Sequence, residues 1–256
     1  MADQGQGLFA PVVENAAGPG PILVCEHASN VFPPEFCDLG LTPDQQRAHI
    51  AWDIGALGLA RGLARRMQAT LIHAPVSRLI YDCNRAPDRP GSMPARSEVH
   101  DVPGNVSLSA AERQRRTQAV YLPFHDALHA LIAARLARGD RPVILTVHSF
   151  TPVYFGQPRR VEFGVIHDAD PTLALAILHA AKTTNLITDL NQPYSAKDDV
   201  THTLRLHATP YGLPNAMLEV RHDLIATAQA QDQMADLLAP VLNMGLVEIQ
   251  RQAKAG

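Results

Sequence analysis

The sequence predicts a single α/β domain, a mixed and mostly parallel sheet flanked by helices. Three observations predict it. Short β-like apolar runs alternate with longer helical stretches, which is the pattern of a layered domain. Several of the runs are apolar without alternation, as strands buried on both faces are. A length of 256 residues with 46% hydrophobic content provides one substantial core, and no internal repeat divides the chain. The expected domain spans 1–256, with its core at about 21–225 and a closing helix at 226–254.

Seven runs are expected as strands: 21–25, 69–74, 79–82, 142–147, 161–166, 186–190 and 215–220. Thr42 reads as the N-cap of a first helix, with Pro43 at its first position. That helix is expected to continue to about Met67 with Ile50, Ile54, Leu57 and Ala64 on one face. Ser109 and Glu112 form a capping box for a second, running through Val120, Leu128, Leu131 and Leu136 to Gly139, with Pro123 bending it. A third covers 171–182. The last carries Met234, Leu237, Leu238, Val241 and Leu242 around Pro240. Two stretches, 86–106 and 191–214, are too irregular for either class and too long for plain connections, so they read as loops over a site.

Composition narrows the function. A net charge of −3 with scattered Lys and Arg gives no electrostatic footprint for nucleic acid. Residues 1–20 have no cationic start and no apolar h-region, and no run approaches a membrane span, so a cytoplasmic protein is expected. Cys25, Cys37 and Cys83 form no CxxC pair and are expected as small buried hydrophobes in a reducing compartment. Twelve histidines beside one tryptophan is a skewed inventory, and histidine is the commonest metal ligand.

Four apolar runs end abruptly in polar groups: PILVC before Glu26-His27, LIY before Asp82-Cys83-Asn84-Arg85, VILTV before His148-Ser149, and NAML before Glu219-Val220-Arg221. Ligands of open α/β sheets bind outside the carboxyl ends of the strands, so polar residues at such endings gather at one rim. Any one of them could simply be a chain leaving the core. Four together point to a site. His27 and His148 are ligand types that zinc prefers, and a catalytic zinc takes three protein ligands. Glu26, Asp53 and Asp82 are the candidates for the third, with a pair to His49 as the alternative for Asp53. Glu219 is placed to act as a general base, the alternative being a salt bridge to Arg221. Asn84 and Arg85 could grip a substrate carboxylate. His125 and His129, one helical turn apart, read as packing groups, and His202 and His207 as solvated loop histidines.

CEHASN, the pair Trp52-Asp53, SRLIYDCNR, VHSF and LEVRHDLI, in this order, resemble the N-formylglutamate amidohydrolase family from about residue 21 to 225. That family is similar in turn to zinc carboxypeptidases and aspartoacylase-type deacylases. The resemblance implies a carboxypeptidase-like fold, one Zn²⁺ on His27, Asp53 and His148, and Glu219 as general base. It further implies Arg78 facing the developing oxyanion, with Asn84, Arg85 and Arg221 on the substrate. Carboxypeptidases carry a Glu ligand three residues after the first His; that position here is Asn30, which keeps Glu26 as the alternative to Asp53. The implied reaction is hydrolysis of an N-formyl or N-acyl amino acid, N-formyl-L-glutamate foremost. A carboxypeptidase or deacylase of neighbouring specificity, or a metal-binding domain without turnover, are the alternatives.

Overall fold

The computed structural model describes residues 9–255; the first eight residues, part of the expected leaderless N-terminus, lie outside that range. Eleven strands are found among them: β1 Val12–Glu14, β2 Ile22–Cys25, β3 Thr70–His73, β4 Arg96–Ser97, β5 His100–Asp101, β6 Ile144–Phe150, β7 Val153–Tyr154, β8 Gln157–Pro158, β9 Phe163–Ile166, β10 Thr188–Leu190 and β11 Asn215–Arg221. The α-helices are α1 Pro43–Arg47, α2 Ala56–Met67, α3 Ala110–Arg116, α4 Leu122–Ala137, α5 Thr172–Ala181, α6 His202–His207 and α7 Ala228–Ala255. Seven strands form one sheet in the order β1-β3-β2-β6-β11-β9-β10, while β4-β5 and β7-β8 are separate hairpins. Pairings within the large sheet are parallel except β1 with β3 and β9 with β11.

The unalternating apolar runs are buried on both faces, as their composition requires. Ile22, Val24, Ile72, Ile144 and Met217 look toward one core with Phe124, Leu128 and Ile132 of α4. Leu23, Leu71, Leu145, Leu218 and Val220 look toward the other, under α2, α5 and α7. Side chains alternate along each strand, so consecutive residues feed opposite cores. No helix of the described residues is long and apolar enough to cross a membrane.

Four expectations need correction. The run 79–82 is not a strand: it is a buried turn, with the Leu79 carbonyl accepting from Asn105 Nδ2 at 2.7 Å and the Ile80 carbonyl from Arg116 Nη1 at 3.3 Å. Side chains here satisfy the peptide groups that a ladder would otherwise have to satisfy. The first helix is broken between α1 and α2. The Asp53 amide donates to the His27 carbonyl at 2.9 Å, and Gly55 at φ +80° takes a left-handed conformation in which an added Cβ would overlap the Ile225 carbonyl oxygen. Finally, Cys37 is exposed, while Cys25 and Cys83 are buried as expected. Pro123 follows a π-helical turn over Thr117–Tyr121 rather than a simple bend.

Candidate metal centre and substrate cavity

The carboxyl ends of β2, β6 and β11 converge, and the polar endings of the three runs meet there. His148 and Glu219 are register partners on adjacent parallel strands, so their side chains leave the same face of the sheet. His27 follows β2 by two residues. Asp53 comes from the turn that breaks the first helix, tied by its own amide to the His27 backbone.

His27 Nδ1 lies 3.2 Å from Asp53 Oδ2 and 3.2 Å from His148 Nδ1, and His148 Nδ1 lies 2.9 Å from Asp53 Oδ2. Three donors on one small cation with bonds of about 2.0–2.2 Å stand about 3.3 Å from one another. The triangle therefore fits a divalent ion with minor adjustment, and these three side chains are the group of the described residues whose donor atoms could hold one. The outer ring nitrogens face carboxylates. His27 Nε2 donates to Asp82 Oδ1 at 2.7 Å, and His148 Nε2 lies 3.2 Å from Glu26 Oε2. The hydrogen bond to Asp82 leaves His27 Nδ1 to present a lone pair to the centre, and Glu26 behind His148 would favour the same arrangement there once a cation displaced the ring's second proton. Glu26 and Asp82, weighed from sequence as alternative ligands, thus stand behind the histidines rather than at the centre.

Electrostatics follow from burial. His148, between Glu26 and Asp53, is raised well above the ordinary imidazole range: burial opposes its charge, but the two carboxylates outweigh it. Burial would likewise raise Glu26, yet His148 brings it down to about 2. Asp53 is lowered in the same way by the two histidines and Arg78. Arg78 donates from Nη1 to Asp53 Oδ1 at 3.2 Å and from Nη2 to Asp82 Oδ2 at 2.6 Å, so it braces both carboxylates while lining the cavity.

Glu219 is the exception. Burial pushes its carboxyl up to about 7, with Asp53 adding to the rise and His148, His27 and Arg78 opposing it. Its Oε2 has no hydrogen-bond partner among the described residues. The anticipated salt bridge to Arg221 is absent: that guanidinium pairs with Asp223 at 2.8 Å and Glu162 at 3.4 Å, and Arg221 does not line the cavity. Its expected contact with substrate is therefore not supported by its position.

The cavity in front of these groups is about 590 Å³. Loops 86–106 and 191–214 both contribute to its walls, as expected. Asn84 lines the cavity, as its place after the apolar run predicts. Its Nδ2 donates to the Val200 carbonyl and its Oδ1 accepts from the Thr203 amide at 3.1 Å, so both ends of the amide also anchor the later loop. Arg85 lines the cavity with one donor on the Asn84 carbonyl at 2.8 Å. His49 pairs with Glu98 at 2.8 Å rather than with Asp53.

The remaining histidines lie elsewhere. His125 and His207 are buried together, Nδ1 to Nε2 at 2.8 Å, and His202 Nε2 meets the Tyr121 hydroxyl at 2.9 Å. His207 is thus a core residue, not a solvated one, and His129 is exposed beside it. Arg159 and Tyr194 also line the cavity. No pattern in the sequence marks Arg159, because it belongs to a short hairpin end without apolar periodicity.

The family model for N-formylglutamate amidohydrolase matches residues 21–226. The chain is similar, at 48% identity and a TM-score of 0.93, to a gene product of Agrobacterium tumefaciens of known crystal structure, covering 97% of this chain and 98% of that one. An N-formylglutamate amidohydrolase from Ralstonia eutropha shares the fold at 18% identity and a TM-score of 0.68, over 95% of this chain and 99% of that one. No curated protein matches. Spanning every polar ending that converges on this cavity, the match shows that the chain belongs to the N-formylglutamate amidohydrolase family.

Proposed function

We propose that the protein is a zinc-dependent amidohydrolase that cleaves N-formyl-L-glutamate, or a closely related N-acyl amino acid, into a carboxylate and the free amino acid. The observation that carries this reading is the triangle of His27 Nδ1, Asp53 Oδ2 and His148 Nδ1, with the unpartnered carboxyl of Glu219 beside it in one cavity. Family membership supports the substrate class. His27, Asp53 and His148 would hold the ion, which when bound supplies Lewis-acid polarisation of the carbonyl and acidification of water.

The chain's own residues do the rest. Glu219 takes a proton from the attacking water and returns it to the amide nitrogen as the carbon–nitrogen bond breaks, so that water and amide become formate and an amine. A carboxyl poised near neutrality suits both halves of that exchange. Arg78, already fixed by Asp53 and Asp82, brings positive charge to the wall where the carbonyl oxygen becomes anionic. Arg85 holds the carboxylate of the amino acid.

The test is release of formate from N-formyl-L-glutamate, compared with acetylated amino acids and a C-terminal peptide. Activity lost to a chelator and restored by Zn²⁺ is expected. Cleavage of the peptide without deacylation, or turnover indifferent to chelation, would contradict the reading.

A further inference from the structure

Four arginines line the cavity: Arg78, Arg85, Arg96 and Arg159. Two are neutralised by the protein itself, Arg78 by Asp53 and Asp82, and Arg96 by Asp101 at 2.7 Å. Arg85 and Arg159 have no carboxylate within 4.0 Å among the described residues.

Arg159 is nevertheless firmly held. Its guanidinium carbon lies 4.3 Å from the ring centre of Tyr154, 4.7 Å from that of Tyr194 and 5.6 Å from that of Phe150, and its Nη1 donates to the Tyr194 hydroxyl at 2.9 Å. Its amide closes the β7-β8 hairpin onto the Pro152 carbonyl at 2.8 Å. Aromatic faces fix the plane of a guanidinium without cancelling its charge, leaving in-plane N–H groups for a fork-like partner. Tyr194 links this shelf to the reacting end of the cavity, which it lines together with Glu219 and Arg78. A half-buried cation, oriented but unpaired, is what a ligand carboxylate would complete.

We propose that Arg159, on its shelf of Tyr154, Tyr194 and Phe150, is the residue that receives the side-chain carboxylate of the substrate. The inference rests on the hydrolase reading and adds the residue that would set its specificity. Arg85 and Arg159 then serve as two separate anion receptors, one for the α-carboxylate and one for the side-chain carboxylate.

N-formyl-L-glutamate and N-formyl-L-glutamine, nearly isosteric and differing in one charge, provide the test on wild type, Arg159→Met and Arg159→Lys. Wild type should favour the glutamate compound by about tenfold to a hundredfold in kcat/KM, the range for a charge-assisted hydrogen bond. Arg159→Met should raise KM for the glutamate compound by a similar factor, leaving kcat and the KM for the glutamine compound unchanged. Arg159→Lys should restore part of the preference. Equal losses on both substrates, or no preference in wild type, would overturn the assignment. Calorimetric binding of the same two compounds separates this from the reaction itself: an Arg159-dependent preference without turnover would sink the hydrolase reading and keep the carboxylate receptor. Equal binding of both compounds by wild type and Arg159→Met would overturn the receptor.

Discussion

His148 carries the most constrained position at the site. It lies on a central strand, Glu26 stands behind its Nε2, and its Nδ1 is shared with His27 and Asp53. Two imidazole nitrogens and a carboxylate oxygen within 3.2 Å of one another concentrate lone pairs that one divalent cation would satisfy together. Glu219 lines the cavity, and its Oε2 has no hydrogen-bond partner among the described residues. Glu219→Gln keeps the shape of the side chain but removes the proposed base. Turnover should fall by about 10²–10⁴-fold with metal content unchanged. Full activity in that variant, measured as formate release, would remove Glu219 from the mechanism. His27, His148 and Glu219 were legible in the sequence because each ends an apolar run, so the strand itself delivers it to the rim. Asn84 follows such a run too and lines the cavity, but its hydrogen bonds to Val200 and Thr203 depend on where the 191–214 loop lies, which no local pattern encodes.

Glycine and loop geometry decide how the strands and loops close the cavity. Gly164 pairs with Glu219 across β9 and β11, and the loop passes so near that an added Cβ would overlap the Gln192 carbonyl oxygen and sit 3.5 Å from Glu219 Cβ. This close approach brings Tyr194 to the cavity wall. Gly164→Ala is expected to displace the loop, costing about 1–3 kcal/mol by overpacking. The denaturation midpoint and kcat/KM should fall together, and a variant unchanged in both would refute the packing argument. Six of the seven expected strands stand near their expected positions, because buried parallel strands announce themselves by unbroken apolar runs. The run 79–82 has the same apolar content but lies in a turn, its carbonyls satisfied by Asn105 and Arg116 from distant segments. Likewise, the helix break that positions Asp53 comes from contacts with His27 and Ile225, residues remote in sequence.

At the scale of the whole molecule, two cores sandwich the sheet, and the first also encloses the pair His125 and His207. The Cys83 carbonyl accepts from His125 Nε2 at 2.9 Å, so with both rings neutral His125 Nδ1 accepts from His207 Nε2 at 2.8 Å. Burial lowers His125 to about 4 and His207 to about 3, the latter also through His125. In the unfolded chain both would bind protons below about pH 6.5, whereas the fold resists protonation. Their contribution to stability is therefore complete above that pH and is lost as the pH falls from about 6.5 toward 4, with a slope of up to about 1.4 kcal/mol per unit for each group. Chemical denaturation across pH 7 to 4.5 should give a shallower decline for His207→Gln than for wild type. Identical slopes would place the pair outside the acid response.

The central claim is that residues far apart in sequence form one cation site at the mouth of the sheet. Metal content of purified wild type, His27→Ala and His148→Ala, each re-equilibrated with Zn²⁺ and dialysed, tests it most directly. About one ion per chain is expected in the wild type and a large loss in both variants, the folds remaining intact by circular dichroism. Equal stoichiometry in all three proteins would contradict it.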